Sequence, residues 1–264
     1  MNKFITLYLI IFFSSCSTSI VKEPSEDEIN NQAAKAYEKI KKESKLSTNT
    51  RLTNMVKRVS KRIAAASGEK FEWEVILIES KQLNAWCMPG GKMAVYTGIL
   101  PVLKNEAALA AVMGHEVAHA TLRHGKKGYA RAMKTKLTGL LVGGAVYLGG
   151  QVMCKTEKCR ELAKLGAIAT GFAAEFFNRK FSRKDETSSD KVGQIYMAKA
   201  GYDPREAPKV WERMKKASGG QTTPEFISTH PSNDNRKERL TSWLDEALPI
   251  YNNTDVKYGL GAKI

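Results

Sequence analysis

Apolar residues between positions 48 and 67 recur every three or four places, at Leu52, Met55, Val56, Val59, Ile63 and Ala64. That spacing stacks them on one face of a helix turned toward a core. At 71 the period shortens. The stretch "FEWEVILIES" alternates and then runs apolar, which predicts a strand ending in a turn near Ser80. "NAWCMPGGKMAVYTG" follows, two short β-like runs broken by Pro89, Gly90 and Gly91, the composition of a hairpin. Asn105 then stands ready to cap a helix with Glu106 in its first turn, and the Ala-rich run "AALAAVMGHEVAHATLRHG" predicts a long buried helix behind them.

Two apolar segments come next, at 137–153 and 162–177, both studded with Gly and Ala. A helical hairpin packed on the domain is the expected arrangement, with shallow membrane contact as the alternative. A bilayer span is disfavoured because the second segment carries Lys164 and Glu175. Beyond 188 the pattern predicts two helices separated by the turn "GYDP" at 201–204, and then, after the loop "THPSNDNR", a helix from Arg236 to about Leu248. The fold class is α+β, mostly α, with a small β-sheet.

The first fifteen residues, "MNKFITLYLIIFFSS", have a basic start and a short apolar run, the layout of a signal peptide. "FSSC" at 13–16 is similar to a bacterial lipoprotein processing box, which makes Cys16 the expected lipidation site, although Phe13 departs from the usual Leu. An ordinary cleaved signal and an uncleaved anchor are the alternatives. Residues 16–47 then read as a tether and N-terminal helix, 48–250 as the catalytic domain and 251–264 as a tail. Cys154 and Cys159, in "CKTEKC", are close enough to bridge a small loop or to remain two free thiols. The net charge of +15 suits anionic lipid surfaces. The charges are scattered, no reading motif accompanies them, and nucleic acid is not an expected partner.

Three of the four histidines fall between 115 and 124. His115 and His119 are four apart, so on a helix both imidazoles project from one face and can share a single zinc ion. Glu116 lies beside that ion, placed to act as general base toward a water held by the zinc and then to pass the proton to a leaving amine. This is an HExxH pattern in an apolar helix. His124 is half a turn out of phase if the helix continues, and reads as a structural or surface residue. A later carboxylate is the better third ligand: in "FSRKDETSSDKVG", Glu186 and Asp190 are one turn apart, so Glu186 can reach the zinc while Asp190 orients an imidazole.

Taken in order, HEVAH, "FSRKDETSSD", "AGYDP" and "STHPSNDNR" resemble the zinc endopeptidases of the HtpX, BepA and LoiP kind, in gluzincin peptidase family forty-eight, of the periplasmic lipoprotein type. "NAWCMPGG" resembles the family's Asn-Ala-Phe-Ala-Leu-Pro-Gly-Gly stretch. The resemblance covers about 48 to 240 and implies a zincin-like catalytic domain with one zinc per chain. It makes His115, His119 and Glu186 the ligands, Glu116 the catalytic base and Asp190 its support; Thr187, Ser188 and Ser189 replace the family's usual Ser-Glu-Ala. It also places His230 near the active site, as an oxyanion donor, as a loop histidine held by Pro231, or as a fourth ligand that keeps the site latent, with Arg236 bracing the loop. The strand Asn84, Ala85, Trp86 is implied to lie along the cleft, where an extended peptide adds as another strand.

The expected function is a zinc endopeptidase of the bacterial envelope, anchored through lipid to the outer membrane, facing the periplasm and cleaving unfolded or misassembled envelope proteins. The alternative is a non-catalytic assembly factor or chaperone with a structural or latent zinc.

Overall fold

A computed structural model describes residues 24–132, 146–148, 151–153, 172–177, 180–217, 225–230 and 235–264. The leader, Cys16 and the Cys154 and Cys159 pair lie outside the described residues. The chain is α+β and mostly helical, as its periodicity predicts. Helix α1 (Glu26–Glu43) is followed by α2 (Thr50–Ser67) and three strands, β1 (Glu74–Ile78), β2 (Ala85–Met88) and β3 (Lys92–Tyr96). A short α3 (Leu100–Leu103) leads into α4 (Glu106–Thr121).

The sheet order is β1-β3-β2, with β1 parallel and β2 antiparallel to β3. Among the described residues β2 pairs with β3 alone. Alternate residues enter two separate cores. Val75, Leu77, Ala85, Cys87, Met93 and Val95 face α2 and α4, while Ile76, Ile78, Trp86, Met88 and Ala94 face α1, with Tyr37 edge-on to Trp86. Burial on both faces explains why the strands read as alternation grading into an apolar run.

Asn105 caps α4 by accepting from the Ala108 amide at 2.8 Å. Every residue from Glu106 to Ala120 is buried, so the helix is a central rod without an amphipathic stripe. Its small residues admit a close neighbour, α7 (Arg183–Lys199). Where the two helices cross, Gly193 lies against Gly114: a Cβ on Gly193 would stand 2.6 Å from the carbonyl carbon of Gly114 and 2.6 Å from the amide nitrogen of His115. This contact lets the faces that carry His115 and His119 on α4 and Glu186 on α7 meet.

After Leu122 the chain leaves the axis of α4. Arg123 adopts a left-handed backbone (φ 58°), a conformation that costs a non-glycine residue about 1–2 kcal/mol. Three acceptors hold it there: Arg123 donates to Glu26 at 2.9 Å, to Glu69 at 2.5 Å and to the Thr121 carbonyl at 2.6 Å. A new helical stretch, α5, then spans 124–132.

Most of the helical hairpin expected at 137–177 lies outside the described residues, and where the first segment is described it is strand rather than helix. Val146–Leu148 (β4) and Gln151–Met153 (β5) form an antiparallel two-stranded ladder. In the second segment the described part is a helix, α6 (Phe172–Phe177). No helix among the described residues is long and apolar enough to cross a membrane.

Beyond α7 come α8 (Glu206–Ala217), α9 (Glu225–Thr229), α10 (Arg236–Ser242) and α11 (Leu244–Asn252). The single helix expected from Arg236 is thus two, parted at Trp243. The tail returns to the core: the Glu106 amide donates to Ala262 at 3.1 Å and the Ile264 amide to Lys104 at 3.0 Å. An orphan donor of the first turn of α4 is thereby satisfied.

Candidate metal centre

Helices α4 and α7 and the end of α9 bring His115, His119, Glu186 and His230 together. One ligand atom from each lies within 4.8 Å of the others, and all four residues are buried. The Nε2 atoms of His115 and His119 are 3.0 Å apart. Glu186 approaches both at 3.3 Å. His230 joins them through Nδ1, 3.2 Å from His115 Nε2 and 3.0 Å from Glu186 Oε1. Of the roles the sequence left open for His230, this position places its ring among the ligand atoms. Its other nitrogen, Nε2, stands 3.6 Å from Glu116.

Each histidine of α4 has a partner on its far nitrogen. His115 Nδ1 lies 2.9 Å from Asp190 Oδ1. Arg236 donates to the same oxygen at 2.5 Å, with its guanidinium stacked 3.3 Å from the centroid of Trp211. His119 Nδ1 lies 3.1 Å from His124 Nδ1. His124 is buried, which agrees with the structural alternative of its sequence reading and not the surface one: the left-handed Arg123 ends the helix whose continuation the surface alternative assumed. Sequence reasoning also missed Trp211, Phe181 and Phe226. Phe181 packs 3.9 Å from the ring of His119 and Phe226 stacks 4.6 Å from His230. No spacing rule ties these aromatics to the histidines.

Burial favours neutral carboxyls here, yet for Glu186 the facing His230 and His115 outweigh it and hold the carboxyl well below its ordinary range. Arg236 and His115 do the same for Asp190. Glu186 also lies in the first turn of α7, where the helix dipole favours an anion. Glu116 is the exception: burial pushes it up to about 7. His119 is driven well below its usual range by burial. For His115 burial pulls down, but Glu186 and Asp190 together raise it.

The donor set fits a metal ion. Two nitrogen donors, a carboxylate and a third imidazole match the ligand chemistry of zinc. Glu116 Oε1 and Glu186 Oε2 are buried without a hydrogen-bond partner, an arrangement that costs energy unless a cation or donor completes it.

Beside this centre runs a narrow cleft lined by Asn84, Ala85, Trp86, Glu116, Phe177 and His230, among others. Phe176 and Phe177 of α6 pack edge-on against Trp86 at 6.4 and 5.4 Å. The space left is about 20 Å³, roughly room for one water.

The model of Peptidase family M48 matches residues 46–244. A mitochondrial metalloendopeptidase OMA1 of Schizosaccharomyces pombe is 37% identical over 198 residues, covering 74% of this chain and 54% of the relative. That of Arabidopsis thaliana is 35% identical over 198 residues, covering 74% and 37%. The Beta-barrel assembly-enhancing protease of Escherichia coli is 24% identical over 201 residues, covering 75% and 40%. The chain thus spans roughly a third to a half of the length of these relatives. They overturn the expected bacterial periplasmic, outer-membrane location, since relatives at 35% identity and above are named as mitochondrial proteins of a plant, a yeast and a fish. The resemblance holds at the level of the family, and the lipoprotein type within it is not carried by these relatives.

Proposed function

The chain belongs to Peptidase family M48, a family of zinc metallopeptidases, and from that premise we propose that it cleaves internal peptide bonds of unfolded protein chains with one zinc held by His115, His119 and Glu186. The observation that carries this reading is the convergence of those three ligand atoms with a partnerless carboxylate oxygen of Glu116 beside them. A bound zinc supplies Lewis-acid polarisation of the attacking water and the scissile carbonyl. Glu116 takes the proton from that water and returns it to the leaving amine; a carboxyl lifted to about 7 suits both directions near neutral pH. Asp190 fixes the tautomer of His115 by accepting from Nδ1, and Arg236 fixes Asp190. The edge of β2, at Asn84, Ala85 and Trp86, pairs with the backbone of an extended substrate. Such pairing reads main chain rather than side chains and favours unfolded clients.

A second reading concerns the state of the site. His230 stands among the ligand atoms and Phe176 and Phe177 pack beside the cleft, which supports a latent site. His230 then acts as the fourth ligand, and substrate entry requires it and α6 to move.

The test uses the full chain, its Glu116→Gln variant and a chelated control with casein as an unfolded substrate. The wild type should carry one zinc and cleave. The variant should keep its zinc and lose about 10²–10⁴-fold in rate. Retained zinc in both with cleavage in neither, even after His230→Ala, would support the chaperone alternative instead.

A further inference from the structure

We infer that His124 is a positioning residue for the metal centre, holding His119 in its ligating orientation through an Nδ1-to-Nδ1 hydrogen bond. This rests on His119 being a zinc ligand.

The tautomers follow from the geometry. His119 turns Nε2 toward His115 and Glu186, so its other nitrogen, Nδ1, carries the proton when Nε2 binds a metal. A buried N–H of this kind needs an acceptor. The nearest nitrogen is His124 Nδ1 at 3.1 Å, which must therefore be unprotonated, and His124 carries its own proton on Nε2. Acceptors stand on that side: Ser188 Oγ at 3.4 Å and, slightly further, the Asp185 carboxylate at 3.5 Å. Ser189 Oγ lies 3.1 Å from His124 Nδ1 and shares its lone pair. The chain of contacts from Ser188 through His124 to His119 is thus the counterpart, on the second histidine, of the one from Arg236 through Asp190 to His115.

The backbone is bent for this contact. A helix continuing past Leu122 would carry residue 124 away from residue 119. The left-handed Arg123, tied to Glu26, Glu69 and the Thr121 carbonyl, turns the chain so that His124 swings back under His119. The hydroxyls of Ser188 and Ser189 both lie within hydrogen-bonding distance of His124.

The experiment measures zinc affinity of the full chain by competition with a chromophoric chelator, together with the unfolding temperature of the metal-free protein. His124→Leu removes the acceptor and is expected to weaken zinc binding about 10–100-fold. His124→Asn places an amide oxygen near the position of Nδ1 and should recover most of that loss. His124→Gln carries its oxygen one bond further out and should bind as poorly as the Leu variant; it serves if the Leu variant does not fold. A purely structural histidine would lower the metal-free unfolding temperature in all three and leave zinc affinity unchanged, which would overturn the proposal. Equal affinities of the Asn and Gln variants would overturn it too. His119→Ala is the control: if it binds zinc like the wild type, the ligand assignment itself fails, whereas a loss there with none at His124 rejects His124 alone.

Discussion

The crossing of α4 and α7 at Gly114 and Gly193 gives a prediction whose sign is diagnostic. In Gly193→Ala the added Cβ would meet the Gly114 carbonyl carbon and the His115 amide nitrogen at 2.6 Å, against 3.4 Å for the start of ordinary contact. The helices must therefore separate by about 0.8 Å, and neither obstacle is a flexible side chain. Overpacking of this kind costs about 1–3 kcal/mol. In a chain of this size that lowers the unfolding temperature by roughly 2–10 °C. The same step moves Glu186 and Asp190 away from His115 and His119. Metal sites tolerate only about 0.2 Å of distance error, so zinc affinity should drop on the order of tenfold or more. A helix interior with room for the methyl would behave oppositely, because Ala is favoured over Gly there by about 0.5–1 kcal/mol. Scanning calorimetry of the metal-free protein and a zinc titration decide between the two. A variant that melts higher than the wild type and binds zinc as tightly would refute the account of the crossing.

Two more perturbations bear on other parts of the structure. His230→Ala should raise cleavage of casein by the zinc-loaded protein if the imbedded imidazole blocks the fourth position; a fall of 10²-fold or more would instead make it an oxyanion donor. Glu206 accepts from Asn105 at 3.1 Å and from Arg213 at 3.0 Å; burial opposes its charge, but these partners and Lys209 hold it below the ordinary range. A depressed carboxyl stabilises above its unfolded pKa and loses that contribution as pH falls through the folded value. Glu206→Gln should therefore cost about 1 kcal/mol at pH 7, with the gap to the wild type closing below about pH 4; a gap that is constant from pH 7 to pH 3 in urea titrations would rule the ion pairing out.

Much of the centre was legible because its spacing is local. Four residues on a helix separate His115 from His119 and Glu186 from Asp190, and period alone puts each pair on one face. Asn105 as a cap and the strands around Pro89 followed from equally local chemistry. What failed was long-range or masked. The position of His124 stayed open because a positive φ at Arg123 has no sequence signature, and the carboxylates that hold that arginine, Glu26 and Glu69, lie far up the chain. The pairing of Val146–Leu148 with Gln151–Met153 lies in an uncharged, glycine-studded run whose composition suits helix and strand alike. Trp211 under Arg236 could be placed only by the fold.

The two-sided burial of the sheet separates the boundary set by ancestry from the one set by packing. The family match begins at residue 46, past the end of α1 at Glu43. Yet α1 covers the face formed by Ile76, Ile78, Trp86, Met88 and Ala94. A protein cut to the shared region would keep every residue of the metal centre and bare an apolar sheet face beside it, an aggregation-prone surface. The helix that precedes the matched region is therefore part of what keeps the domain dispersed in water.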